Sequence, residues 1–153
     1  MQHISKVIHI HTDSPIEETV YEELIKYGLE PRTQFPVGMF RIDLAFPKLK
    51  LAIEADGKDF HSSEEQKKRD WYRQSRLEEQ GWKFERFDGS FIHRFPRFVA
   101  AKIALQYFRE KLTPEQDKLA VGSVVSYFTS KGETEFASDL SEVFLKGYKL
   151  KKI

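Results

Sequence analysis

Cysteine is absent from the 153 residues, which excludes disulfides and thiolate metal sites. Long apolar runs are also missing: none approaches the roughly 20 residues of a membrane span. The first residues, MQHISKVIHIHTD, lack an apolar core and a small-residue cleavage site. The expectation is therefore a chain with no signal peptide, cytoplasmic and not bound to a membrane. An excess of one charge is lacking too, since 25 Lys and Arg face 24 Asp and Glu, a net charge of +1. A global basic field is thus excluded as a handle for nucleic acid, and any such contact must come from a local patch. There are no internal repeats and no low-complexity segments. What is plentiful is Phe, at 13 residues, which suits a core built around sheets. The length is that of one domain, enough to bury a core without staples.

Residues 41–61, RIDLAFPKLKLAIEADGKDFH, organise the rest. At a strand's period of two, Ile42, Leu44 and Phe46 share one face, and Arg41, Asp43 and Ala45 the other. After Pro47, Leu49, Leu51, Ile53 and Ala55 share a face, and Ala52, Glu54 and Asp56 the opposite one. Both runs read as half-buried strands with an acidic, non-apolar face. Matching apolar to apolar in a hairpin sets Phe46 opposite Leu51 and Leu44 opposite Ile53, with Pro47 to Lys50 as the loop. The same register sets Asp43 opposite Glu54 and Arg41 opposite Asp56. Opposed like charges destabilise a strand pair. A hard cation such as Mg²⁺, held by one or two carboxylates with water and substrate phosphate, removes that cost. An acidic strand face is also an ordinary solvated surface, so both readings stand at this point.

The flanks read as follows. Residues 1–13 form an N-terminal arm in which His9 and His11 fall on one face of a short strand, either as a metal pair or as a solvated edge. Ser14-Pro15-Ile16-Glu17 starts a helix with a Ser cap, Pro at the first position and Glu three residues on, and Gly28 ends it. Glu17 is either the capping-box partner or a carboxylate reaching the acidic face of the hairpin. Pro31 and Pro36 confine the next short strand to an edge. Ser62-Ser63-Glu64-Glu65 caps a long helix running to about residue 80 and carrying Lys67, Lys68, Arg69, Arg73 and Arg76. Those cations form either a solvated face or, at Arg73 and Arg76, an edge for a phosphate backbone. Trp82 to Phe87 alternates as a third core strand, and Asp88-Gly89-Ser90 is a turn. Helices follow over residues 96–111 and 114–130, the second capped by Thr113. A short helix over 140–146 and a basic end, YKLKKI, complete the chain. The division expected is a core of residues 1–112 and a helical extension, 113–153, packed on the core or on a partner.

Clustered strand carboxylates make an oxygen-rich site for a hard metal. A histidine just beyond the strand, His61, is suited to general-base work or to positioning water. Carboxylate-held Mg²⁺ most often serves phosphodiester hydrolysis.

The ordered set Ser14-Pro15-Ile16-Glu17, Arg41-Ile42-Asp43-Leu44, Glu54-Ala55-Asp56-Gly57 with His61, Asp70 with Arg73, Gly81-Trp82 and Arg86-Phe87 resembles the PD-(D/E)xK nuclease superfamily. Within it, the small very-short-patch-repair-like endonuclease domains are the most similar, over about residues 14–111. The resemblance implies an α/β (α+β) restriction-endonuclease-like fold, a mixed sheet flanked by helices, with a helical C-terminal extension. It implies a metal-dependent DNA endonuclease or nickase. Asp43 and Glu54 would hold Mg²⁺, with Mn²⁺ able to substitute, and Glu17, Asp56 and His61 would complete the catalytic set. Arg41, Arg73 and Arg76 are the candidate DNA contacts. A homodimer or a larger defence or repair complex is compatible with it. The alternative is an inactive nuclease-like module that docks DNA or protein. In one respect the chain departs from the pattern: the superfamily's lysine, two residues after the second acid, is replaced by Asp56.

Overall fold

The computed structural model describes residues 12, 14–57, 63–109 and 111–149, with the backbone alone from 143 onward. Ten elements follow in order: α1 (Pro15–Lys26), β1 (Arg32–Val37), β2 (Phe40–Phe46), β3 (Leu51–Asp56), α2 (Glu64–Glu79), β4 (Lys83–Asp88), α3 (Gly89–Arg94), α4 (Pro96–Arg109), α5 (Pro114–Ser130) and α6 (Thr134–Lys149). The strands form one mixed sheet in the order β1-β2-β3-β4. The first three pair antiparallel, while β3 and β4, joined through α2, run parallel. The chain divides into two compact units, Met1–Pro96 and Arg97–Ile153. Helix α4, grouped with the core in the sequence reading, thus falls in the second unit.

In the first unit the expected hairpin forms with the expected register, Leu44 opposite Ile53 and Phe46 opposite Leu51. The loop is a 3₁₀ turn, Pro47–Leu49, closed by Lys50 at φ +49°. Lys50 also ties the hairpin to its neighbours, donating from Nζ to the Gln80 carbonyl at 2.7 Å and accepting the Lys83 amide at 2.8 Å. The strands are not half-buried, however. Ala45 and Ala52, on the face read as polar, are fully buried in a cluster with Ile42, Leu77 of α2 and Trp82. The reason is architectural: a strand with a parallel neighbour and a crossover helix is covered on both faces.

Local chemistry explains the helices. Ser14 accepts the Glu17 amide at 3.4 Å, Pro15 opens α1, and Gly28 leaves it at φ +74°. That left-handed exit lets the Leu29 amide bond back to the Leu24 carbonyl at 3.1 Å. Helix α2 has the expected start, but its capping box joins Ser63 to Gln66 rather than to a glutamate. Asp88-Gly89-Ser90, read as a turn, is the start of α3: Asp88 Oδ1 accepts the Ser90 amide at 2.8 Å.

In the second unit, α5 begins at the Thr113–Gln116 capping box. Phe98 of α4 packs its ring against Phe128 of α5 and Phe136 of α6, at centroid separations of 5.8 and 4.4 Å. Helix α6 spans 16 residues, well beyond the expected 140–146. Among the described residues no helix is long and apolar enough to cross a membrane.

Candidate active site

The register lines up one polar residue from each strand. Thr33↔Leu44 and Phe35↔Ile42 flank Gln34 and Asp43, Leu44↔Ile53 leads to Asp43 and Glu54, and Glu54 pairs with Arg86. Gln34, Asp43, Glu54 and Arg86 therefore form a row across the sheet. The regular ladder breaks there. Gln34 adopts φ +47°, a costly value for a residue with a side chain. The β2–β3 pairing stops at Leu44↔Ile53. Beyond it the Asp43 carboxylate takes over, with Oδ2 accepting the Ala55 amide at 3.2 Å. Asp43 is thereby fixed toward β3 by a backbone donor.

Glu17 enters from α1. Its side chain is buried and accepts a hydrogen bond from Gln34 Nε2 at 3.0 Å. Of the two readings, then, Glu17 is a carboxylate turned toward the sheet, and it is held by the residue next to Asp43 in the row.

Glu54 is the centre of the site. It is only 4% exposed, and its carboxyl is pushed up from 4.5 to about 8. Burial is the largest cause, because a charge in low dielectric is disfavoured. The hydrogen bond and the like charge of Asp43 come next, and Arg73 opposes both. The shift favours the protonated form of Glu54 beside Asp43. Two carboxyls set side by side are a donor pair suited to a divalent cation. Among the described residues, no group of three or more His, Asp or Glu side chains is arranged to hold a metal. The donors available are this oxygen pair.

Two arginines brace the acids. Arg73 of α2 ion-pairs with Glu54 Oε1 through Nη2, donates from Nε to the Arg41 carbonyl at 3.1 Å, and meets Asp70 Oδ1 at 3.4 Å through Nη1. Arg86 of β4 grips Asp56 with two bonds, Nε to Oδ2 at 3.1 Å and Nη2 to Oδ1 at 2.9 Å. It also reaches Asp70 Oδ2 at 2.9 Å and Gln74 Oε1 at 2.7 Å. These bonds raise the Arg86 pKa still further, the hydrogen bond to Asp56 first. Asp56 therefore meets Arg86, not the Arg41 expected opposite it.

Of the residues singled out in the sequence, the structure brings Asp43 and Glu54 together, sets Asp56 two residues along the same strand, and ties Glu17 to Gln34. His61, like His9 and His11, lies outside the described residues. The Arg41 side chain is exposed and its carbonyl anchors Arg73. Arg73 faces inward to the acids. Arg76 stays at the surface, paired with Glu79 at 3.2 Å and lying over the Tyr72 ring. Gln34 and Gln74 were missed altogether, and Asp70 and Arg86 were noted only as pieces of a motif. A signal did exist for α2: Asp70, Arg73 and Gln74 stand at i, i+3 and i+4, hence on one face of a helix.

Residues 16–104 match the family model REase_MTES_1575, which is restriction-endonuclease-like. Two curated relatives come from Mycobacterium tuberculosis: Uncharacterized protein MT2308 of strain CDC 1551 / Oshkosh and Uncharacterized protein Rv2248 of strain ATCC 25618 / H37Rv. Each is 29% identical over 106 residues, a match covering 65% of this chain and 39% of the relative. The chain thus spans well under half the length of these relatives. Among solved structures, the Homing Endonuclease I-Bth0305I Catalytic Domain superposes with a TM-score of 0.53 at 20% identity, covering 65% of this chain and 99% of that one. The family match spans more than half of the sequence and includes Glu17, the whole sheet and both arginine braces: the chain belongs to the restriction-endonuclease-like family REase_MTES_1575.

Proposed function

We propose that the protein is a divalent-metal-dependent DNA endonuclease or nickase of the very-short-patch-repair-like kind. One observation carries the reading: Glu54 lies buried on β3 against Asp43 of the adjacent strand. Burying one carboxylate against another costs stability, and a cation held there offsets that cost. Family membership and a structural neighbour that is an endonuclease catalytic domain support the reaction class, by analogy of fold.

Asp43 and Glu54 would hold Mg²⁺ or Mn²⁺. Once bound, the metal supplies Lewis-acid activation of the phosphodiester and of water. Asp43 stays oriented by the Ala55 amide, so one of its oxygens is fixed and the other is left for the cation. Glu17 lends negative charge from α1 and keeps Gln34 in its left-handed conformation. Asp56, gripped by Arg86, fixes the end of β3. His61 keeps the role of general base on the strength of its place in the sequence. Arg41 and Arg76 contact the DNA backbone, and a homodimer or larger complex sets the target.

The test is nicking of supercoiled plasmid with millimolar Mg²⁺ or Mn²⁺. The wild type should nick, Asp43→Asn and Glu54→Gln should not, and His61→Ala should be slower by about 10²–10⁴-fold. Both isosteric variants should fold, since an Asn Oδ1 still accepts the Ala55 amide. A wild type that binds duplex DNA but nicks with neither metal would overturn the enzyme reading. The second reading would then hold, a nuclease-like docking module for DNA or protein. The Arg73–Glu54 ion pair favours that second reading, because it gives Glu54 a structural partner.

A further inference from the structure

Arg73 and a divalent cation need the same atom. The guanidinium takes Glu54 Oε1, and a metal held by the Asp43–Glu54 pair must also use Glu54. The two side chains of the ion pair are 19% and 5% exposed, so little water screens a cation placed beside another. The charge balance makes the conflict explicit. A divalent cation beside Asp43 and Glu54 would set its charge against the Arg73 guanidinium at the shared carboxylate, and the two cations would repel. A phosphodiester carries one negative charge and would attract the displaced guanidinium.

Arg73 is built to let go of Glu54 without leaving the site. Its Nε donates to the Arg41 carbonyl at 3.1 Å, Nη2 donates to the same carbonyl, and Nη1 faces Asp70 at 3.4 Å. Asp70 is already committed to Arg86 at the shorter distance of 2.9 Å, so it does not hold Arg73 strongly. The Arg41 carbonyl, which accepts from both Nε and Nη2, keeps the guanidinium at the site when Nη2 gives up Glu54.

We infer that Arg73 and the divalent cation exchange on Glu54, and that the released guanidinium then binds the scissile phosphodiester. Arg73 thus has two partners in turn, the Glu54 carboxylate before the metal binds and the substrate phosphate after. The inference rests on the metal-dependent reading above.

The experiment compares wild type, Arg73→Gln and Arg73→Lys by calorimetric titration with Mn²⁺ at one fixed, near-neutral pH. Nicking rates at saturating Mn²⁺ follow. Arg73→Gln should bind Mn²⁺ at least about fivefold more tightly than wild type, the lower end of ordinary coupling between two ligands. Its maximal nicking rate should nevertheless fall by at least about tenfold, as when a charge-stabilising donor is removed. Arg73→Lys, with one point charge in place of the fork, should also gain affinity and should keep more of the rate. A brace that only stabilises the fold would not tighten metal binding when removed. Unchanged or weaker Mn²⁺ binding by the variants would therefore overturn the exchange. If Arg73→Gln does not fold, Arg73→Lys alone decides. A wild type that binds Mn²⁺ without nicking would end the nuclease reading, while tighter binding by the variants would still uphold the exchange. A wild type that binds no Mn²⁺ would end both.

Discussion

Glu54→Gln separates the proton from the charge at the centre of the site. The amide has the shape of the protonated acid: Nε2 can donate to Asp43 while Oε1 accepts from Arg73. What it cannot do is ionise. The wild-type carboxyl, raised from 4.5 to about 8 by burial and by Asp43, favours the folded state only while protonated. Its contribution is therefore fully present below about pH 4.5 and is lost as pH rises through about 8. A shift of this size, at about 1.4 kcal/mol per unit, makes the loss about 4 kcal/mol by pH 8, out of the 5–15 kcal/mol typical of a domain. Glu54 is almost fully buried, so solvent screening takes little of this back. The assay is urea unfolding in chelator at pH 5, 6.5 and 8, followed by tryptophan fluorescence. Both tryptophans, Trp71 and Trp82, lie in the first compact unit, so the signal reports the unit that carries the site. At pH 5 the two proteins should be nearly equal in stability. At pH 8 Glu54→Gln should be the more stable by several kcal/mol. Parallel stability curves from pH 5 to 8 would refute the reasoning, because they would mean that Arg73 keeps Glu54 ionised throughout.

Two further predictions concern the scaffold. Leu77 is fully buried between Ile42, Ala45, Ala52 and Trp82, so Leu77→Ala should cost about 2–5 kcal/mol in the same unfolding assay; a cost under about 1 kcal/mol would mean that α2 does not close that face. Gly89 starts α3 where an added Cβ would lie 2.7 Å from Ile16 Cδ1 and 3.0 Å from the Asp56 carbonyl oxygen. Gly89→Ala should therefore lower stability by about 1–3 kcal/mol, with Ile16→Val recovering part of it; an unchanged melting temperature would show that α1 and α3 move apart freely.

The hairpin register was legible because side chains alternate with a period of two. A slip of one residue would have sent Leu44, Phe46, Leu51 and Ile53 to the wrong face together. The burial of the opposite face was not legible, because Ala45 and Ala52 are small and neutral to either environment, and what covers them is Leu77, from the later helix α2. Helix α3 escaped because Asp-Gly-Ser is both a turn signature and a helix cap, and six residues are too few to show a helical period. The start of α6 escaped because Glu133, which carries none of the usual cap chemistry, precedes Thr134. In the site, the pairing of Asp43 with Glu54 followed from the strand pattern. Which acid each arginine meets did not, since long side chains reach across elements in ways that spacing does not fix.

The position of the absent lysine shows the difference. Asp56, two residues after Glu54, shares its strand face, and an aspartate there adds a third negative charge beside a pair that already repels. The sheet answers with Arg86, which stands level with Glu54 on the parallel strand. All three nitrogens of that guanidinium are committed, two of them to Asp56 and two contacts to Asp70 and Gln74 of α2. Arg86 therefore balances the added charge and ties β3, β4 and α2 together. Arg73, the arginine on Glu54 itself, is also bonded at all three nitrogens, to the Arg41 carbonyl, Asp70 and Glu54. The two arginines thus divide the acids between them: Arg86 holds Asp56 and Arg73 holds Glu54.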